Sequence, residues 1–139
     1  MQISFFVPGP PVPQPRQRFK VVNGRGLNYT PSNHPVQAYK QAIVLLARQA
    51  LQEAPGWPIS APMALEITFW MKPAKAKLGD KPAVPHAKRP DADNLAKSCL
   101  DALSGILYVD DKQVWRLDVR KVMKGSCGTT ITVVPHEVG

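Results

Sequence analysis

The sequence is poor in cysteine and in long apolar runs, and each shortage excludes a class of protein. Cys99 and Cys127, the two cysteines, have neither the number nor the spacing of a zinc site or a disulfide framework. We expect both to be small core residues. No window approaches the roughly 18 to 20 continuous apolar residues that a membrane-spanning helix needs. The first eight residues also lack the basic region and cleavage site of a signal peptide, so we expect a cytoplasmic protein.

Acidic residues are also scarce, with 10 against 18 lysines and arginines and a formal net charge of +8. This excess favours a polyanionic partner, because each phosphate neutralised by lysine or arginine releases condensed counterions. Five of the ten acids nevertheless lie between Asp91 and Asp111, while the flanking segments are basic. An acidic cluster within a basic surface is typical of a metal-dependent nuclease, in which carboxylates hold the cation and the surroundings hold the phosphates.

The apolar pattern predicts the fold class. Alternating apolar positions predict four strands, at about 3–7, 65–71, 115–119 and 130–134. Helical spacing predicts two helices, one at about 35–53 that Pro55-Gly56 ends and one at about 94–104 that Gly105 closes. We therefore expect a single α+β domain over residues 1–139, with a mixed sheet of about four strands packed against two main helices.

The predicted second helix has an apolar arc for the core and an opposite polar face. The polar face carries Asn94, Lys97, Ser98 and Asp101. Trp70 and Trp115 lie within strand patterns, and we expect them to be core or dimer-interface residues.

Two basic segments are candidates for contact with DNA. The first contains Asn23-Gly24, which predicts a hairpin turn or a loop tip. The second, residues 72–90, is rich in lysine, proline and alanine, a composition that favours a mobile loop. Each segment is as consistent with a solvated surface as with a DNA contact. The candidate DNA-binding residues are Arg16, Arg18, Lys20, Arg25, Lys75, Lys77, Lys88 and Arg89.

The acidic cluster is a candidate metal site. Asp91 and Asp93 are two residues apart, so in an extended chain both carboxylates point to the same side and can share a magnesium ion. Asp110 or Asp111 offers a third carboxylate. The plainer alternatives are that Asp91-Ala92-Asp93-Asn94 caps a helix and that Asp110-Asp111 forms an ordinary turn.

Lys97 lies four residues after Asp93 and four before Asp101, so the three side chains form a row on one helical face. A lysine beside a metal site can contact the scissile phosphate or stabilise charge in the transition state. The alternative is an ordinary ion pair on the helix surface.

These acids belong to a longer pattern. The run Arg89-Pro90-Asp91-Ala92-Asp93-Asn94-Leu95, followed by Lys97, Asp101-Ala102-Leu103 and Val109-Asp110-Asp111, resembles the signature of the RusA family of Holliday junction resolvases. The opening Val7–Pro13, with Arg16, Arg18, Phe19 and Tyr29-Thr30-Pro31, resembles the phage and Gram-positive branch of that family. The resemblance covers nearly the whole chain.

The resemblance implies a homodimeric endonuclease that binds four-way DNA junctions and nicks two opposing strands symmetrically, using Mg²⁺, in DNA recombination and repair. Carried over by position, Asp91, Asp93 and Asp111 are the metal-binding catalytic acids and Lys97 is the catalytic lysine. The family pattern favours Asp111 over the adjacent Asp110. Family members are commonly encoded by phages and prophages.

Two other functions are consistent with the sequence. The first is a non-catalytic basic DNA-binding or packaging accessory protein, in which the acids are structural caps. Dependence on a metal separates it from a nuclease. The second is a nuclease of broader range that acts on branched or single-stranded DNA, which a panel of DNA substrates would distinguish.

Overall fold

A computed structural model describes residues 2–52, 56–72 and 84–136, and its main element is a mixed sheet with helices on one face. The strands are β1 (Ile3–Pro8), β2 (Arg18–Val22), β3 (Arg25–Tyr29), β4 (Met63–Met71), β5 (Val84–Pro85), β6 (Val114–Met123) and β7 (Gly128–Pro135). The helices are α1 (Pro35–Leu51) and α2 (Ala92–Leu103), with a short 3₁₀ helix at Asp111–Gln113. The expected α+β fold class is confirmed.

The main sheet has five strands in the order β1-β7-β4-β6-β5, and β2 pairs with β3 in a separate hairpin. β4 and β6 are parallel, whereas the other neighbours in the sheet are antiparallel. The four predicted strands correspond to β1, β4, β6 and β7. The prediction of a loop over residues 72–90 is wrong at Val84–Pro85, which pair with the edge of β6. Residues 73–83 of that segment, including Lys75 and Lys77, lie outside the described residues.

The core lies between the helices and one face of the sheet. Ile67 on β4 and Ile131 on β7 are paired in the sheet and fully buried, as are Ile43 of α1 and Leu95 of α2. The alternation that predicted the strands follows from this arrangement, because successive side chains of a strand point to opposite faces.

Helix α1 begins where the sequence predicts. Pro35 occupies the first turn, and Nδ1 of His34 accepts a hydrogen bond from the backbone N–H of Val36 at 3.0 Å. His34 therefore caps this helix.

The proline-rich segment after β1 packs on α2 and corrects the expected polar face of that helix. Ser98, predicted on the polar face, is fully buried. Its hydroxyl donates to the carbonyl oxygens of Val12 at 2.9 Å and Leu95 at 2.8 Å. The backbone N–H of Gln14 donates to the carbonyl of Asn94 at 3.0 Å. A segment distant in sequence thus covers the first turns of α2.

Trp115 is 63% exposed, so the expectation of a core position is wrong for this residue. The register between β4 and β6 shifts here, since Met63 pairs with Val114 and Ala64 pairs with Arg116, and Trp115 is the extra residue of a bulge. Trp70 is half-buried, and its Nε1 donates to Thr130 at 2.9 Å.

Cys99 is fully buried, as expected, whereas Cys127 is only half-buried. The expectation of a core position is therefore wrong for Cys127, which lies just before β7 rather than within the sheet. Within the described residues, no helix combines the length and the apolar character needed to cross a membrane.

Candidate active site

Asp91 occupies the N-cap position of α2, yet its carboxylate does not cap the helix. Its backbone is extended, with φ −70° and ψ 144°, and its side chain makes no capping hydrogen bond. The backbone carbonyl of Asp91 instead accepts from the N–H of Leu95 at 3.1 Å, which starts the helical ladder. The Asp91 carboxylate is exposed and makes no capping bond within the described part of the chain, so it is available to bind another group.

Asp93 lies in the first turn of α2 and is exposed. A carboxylate here interacts favourably with the positive end of the helix dipole. Because the helix begins at Ala92, the chain is not extended from Asp91 to Asp93, and the argument that both carboxylates share one side of a strand does not apply.

The third group of acids lies in the turn before β6, where Asp110 and Asp111 have different roles. Oδ1 of Asp110 accepts from the backbone N–H of Lys112 at 3.0 Å, and Asp110 forms a capping box with Gln113 at the start of the 3₁₀ helix. This backbone hydrogen bond lowers the pKa of Asp110. The carboxylate of Asp110 therefore stabilises the turn.

The electrostatics of Asp111 are different. A side-chain hydrogen bond with Asp110 raises the pKa of Asp111, and the charges of Asp110 and Asp101 act in the same direction. Asp110 and Asp101 thus surround the Asp111 carboxylate with negative charge, and a bound cation would offset it.

Gln113 fixes this turn to the rest of the domain. Its Nε2 donates to the carbonyls of Ile59 at 2.9 Å and Ala61 at 3.0 Å. Its Oε1 accepts from the backbone N–H groups of Val109 at 2.8 Å and Asp110 at 2.9 Å. One side chain therefore joins the acidic turn to the segment that leads into β4.

A cleft of about 260 Å³ brings Lys97 and Asp111 together. Its other lining residues are Gln14, Pro15, Gln17, Leu100 and Asp101. Helix α2 forms one wall, and the turn before β6 contributes Asp111. The proline-rich segment after β1 contributes Gln14, Pro15 and Gln17. Tertiary packing thus supplies the proximity that the sequence alone does not.

Lys97 is exposed and forms no ion pair with any described residue. Asp101, its neighbour one turn along the helix, pairs with Lys40 of α1 at 2.5 Å. The alternative of an ordinary surface ion pair between Lys97 and Asp101 therefore has no support in the described residues.

The predicted metal ligands are divided along α2. Asp91 and Asp93 lie at the start of the helix. Asp111 lies in the cleft beside Lys97, and Lys97 follows Asp93 by about 6 Å along the helix axis. Within the described ranges, no three side chains of histidine, cysteine, aspartate or glutamate form a ready-made metal site. The donor set still fits magnesium chemically, because this ion prefers carboxylate oxygens and usually takes one or two, with waters and substrate phosphate completing the shell.

Among the polar residues of the cleft, Gln14 and Gln17 are missing from the sequence prediction, and Asp101 appears there without a role in the site. Only Asp101 carries a sequence signal, its helical spacing from Lys97. The Oε1 atom of Gln14 is buried and has no hydrogen-bond partner among the described residues. Nothing in the local sequence indicates that this glutamine reaches the cleft.

The predicted turn Asn23-Gly24 is confirmed. Both residues have positive φ, 52° and 76°, and they connect β2 to β3 as a two-residue hairpin loop. Lys20 on β2 lies with its Nζ 4.6 Å from the ring centroid of Tyr29. The candidate DNA-binding residues that the structure describes are all exposed: Arg16, Arg18, Lys20, Arg25, Lys88 and Arg89.

Comparison with known proteins agrees with the sequence pattern. The model of the family described as Endodeoxyribonuclease RusA matches residues 8–134. The uncharacterized protein YqaN of Bacillus subtilis (strain 168) is 31% identical over 127 residues, which are 86% of each chain. The family match includes every acid of the candidate site.

Proposed function

Because the chain belongs to the RusA family of endodeoxyribonucleases, we propose that it is a magnesium-dependent, structure-specific nuclease that resolves four-way DNA junctions by paired symmetric nicks. The observation that carries the proposal is the cleft in which Lys97 and Asp111 meet, since both occupy positions of the family signature. The match over residues 8–134 also supports one nuclease domain over the whole chain.

Asp91, Asp93 and Asp111 are the proposed metal-binding catalytic acids. Asp91 supports this role because its carboxylate is exposed and free of the capping bond that its position invites. Asp111 supports it because it faces the cleft, while Asp110 is engaged in the turn. Resolvases of this family generally depend on a divalent metal, and a magnesium ion held here would offset charge on the phosphate and acidify the attacking water.

Lys97 is the proposed catalytic lysine. Lys97 lines the cleft, and no described carboxylate neutralises its ammonium group. A positive charge held at this point would contact the scissile phosphate and stabilise the negative charge that develops in the transition state.

The basic residues around the site would hold the DNA. Arg18, Lys20 and Arg25 lie on the exposed hairpin, and Lys88 and Arg89 directly precede Asp91. Their side chains would neutralise phosphates of the junction arms. Lys75 and Lys77, outside the described residues, are proposed for the same role on the basis of charge.

A homodimer is the proposed working form. A four-way junction has two-fold symmetry, so a symmetric dimer would present two equivalent sites to the two opposing strands. A nuclease of this type would act on cellular DNA in the cytoplasm.

The proposal is tested with a panel of a four-way junction, a fork, a duplex and a single strand, each in Mg²⁺ and in chelator. We expect cleavage of the junction in Mg²⁺ only, with paired nicks, and its loss in Asp93→Asn. Wild-type protein that binds the junction equally in both conditions and never nicks it would instead be a non-catalytic accessory protein. Comparable cleavage of all four substrates would indicate a nuclease of broader range.

A further inference from the structure

Lys121 on β6 binds the main chain of the segment that leads into Asp91. Its Nζ donates to the carbonyl of Lys88 at 2.7 Å and to the carbonyl of Pro90 at 2.6 Å. The second carbonyl belongs to the peptide that joins Pro90 to Asp91. Lys121 therefore holds the residue directly before the first proposed metal ligand.

The backbone of Lys121 binds the same segment at its other end. The N–H of His86 donates to the carbonyl of Lys121 at 2.9 Å, which continues the pairing of β5 with β6. Residues 84–90 are thus bound to β6 by main-chain pairing at the start and by the lysine side chain at the end. The last of these contacts lies at the peptide directly before Asp91, the N-cap residue of α2.

Neither contact of the Lys121 ammonium is to a carboxylate of the described residues. Its side chain is only half-exposed, and its immediate partners Lys88 and the adjacent Arg89 add further positive charge. The lysine therefore makes no ion pair within the described residues, and its bonds to the two carbonyls account for its orientation.

We propose that Lys121 is a positioning residue for the metal site: by fixing the Pro90 carbonyl, it sets the position from which the Asp91 carboxylate binds a divalent cation. The inference rests on the proposed role of Asp91 as a ligand. Mutation of a group that hydrogen-bonds and orients a metal ligand lowers metal affinity or activity by about 10- to 100-fold.

Lys121→Met tests this role, because methionine keeps much of the apolar stem and removes both hydrogen bonds. Lys124→Met is the matched control, since it removes one exposed lysine close by in sequence. Lys121→Arg is the conservative variant that keeps the charge and the donors. Binding of Mn²⁺ to the DNA-free protein, followed by electron paramagnetic resonance, is measured for each variant together with the Mg²⁺ concentration that gives half-maximal junction cleavage.

We expect Lys121→Met to weaken Mn²⁺ binding and to raise the half-saturating Mg²⁺ concentration by about 10-fold or more. Lys124→Met should match the wild type, and Lys121→Arg should recover most of the loss. Junction binding in chelator should be the same in all four proteins. If Lys121→Met is unfolded at the assay temperature, Lys121→Leu, which also lacks a donor, takes its place with the same expectations.

Equal metal affinity in Lys121→Met and Lys124→Met would overturn the proposal, as would a loss that Lys121→Arg does not reduce. The failure of the proposed function has a different signature, because wild-type protein would then not cleave the junction at any Mg²⁺ concentration. The Mn²⁺ measurement does not depend on cleavage and would still test Lys121.

Discussion

The side chain of Gln113 accepts a hydrogen bond from the backbone N–H of Asp110 at 2.9 Å and holds the turn that presents Asp111 to the cleft. The two adjacent acids therefore have different roles. Asp110 contributes its carboxylate to the turn, and Asp111 contributes its carboxylate to the cleft beside Lys97.

Replacing Gln113 by alanine should loosen this turn. The carbonyls of Ile59 and Ala61 and the amides of Val109 and Asp110 would lose a partner. We expect a loss of about 1 to 3 kcal/mol in the free energy of unfolding, measured by urea denaturation. Gln41→Ala, an exposed position of α1, is the control and should change it by less than about 0.5 kcal/mol. Similar stability of both variants would contradict this role.

Asp111→Asn and Asp110→Asn should affect cleavage very differently. The first removes the proposed ligand, and we expect junction cleavage to fall on the order of 100-fold or more. The second keeps a side-chain oxygen to accept from the Lys112 N–H, so cleavage should stay within about threefold of the wild type. Single-turnover rates on a four-way junction measure both effects. If Asp110→Asn reduced cleavage more than Asp111→Asn, Asp110 would be the metal ligand and Asp111 the residue that stabilises the turn.

Lys97→Met should reduce the rate of cleavage without reducing affinity for the junction. The lysine is proposed to act mainly in the transition state, so we expect a decrease on the order of 100-fold in the single-turnover rate. Binding in chelator, measured by gel shift, should change by less than threefold. Lys124→Met removes an exposed lysine just after β6 and serves as the control. Equal rates for the two variants would exclude a catalytic role for Lys97.

The hairpin should contribute to affinity through charge. Replacing Arg18, Lys20 and Arg25 together by alanine should weaken junction binding and make its logarithmic salt dependence shallower by about 0.9 for each phosphate contact that is lost. Fluorescence anisotropy over a range of KCl concentrations measures the slope. The control is Arg48→Ala on the exposed surface of α1. An unchanged slope would show that the hairpin does not bind phosphate.

The two cysteines should react at different rates with a thiol reagent. Burial raises the pKa of Cys99 to about 12, so at pH 8 this group is protonated and shielded from the reagent. We expect one thiol, that of the half-buried Cys127, to react rapidly in the folded protein and two to react in denaturant. Cys127→Ser should abolish the rapid phase. A rapid phase that persists in Cys127→Ser would contradict the burial of Cys99.

The sequence predicts those parts of the fold that depend on local periodicity. The apolar residues Leu65, Ile67 and Phe69 predict β4, because every second side chain of this strand points into the core and is fully or almost fully buried. The pair Asn23-Gly24 identifies the hairpin turn, because both residues adopt positive φ.

The features that the sequence does not predict depend on contacts between distant segments. Ser98 has a polar side chain and is buried only because the segment that contains Val12 packs over it. The strand Val84–Pro85 is too short to show an alternating pattern, and its pairing with β6 is what identifies it as a strand. Likewise Asp111 joins Lys97 through packing of the turn against α2, which spacing along the chain does not encode.

The hairpin of β2 and β3 has a consequence for how this protein can change over evolution. Its strand residues are exposed apart from the half-buried Tyr29, and none belongs to the core cluster. Substitutions there therefore meet few packing constraints, so under the proposed DNA-binding role selection can alter the charge of the hairpin with little effect on the stability of the domain. Under the same proposal the acids and Lys121 on β6 lack this freedom, so the proposed recognition element and the proposed chemical site lie under different structural constraints.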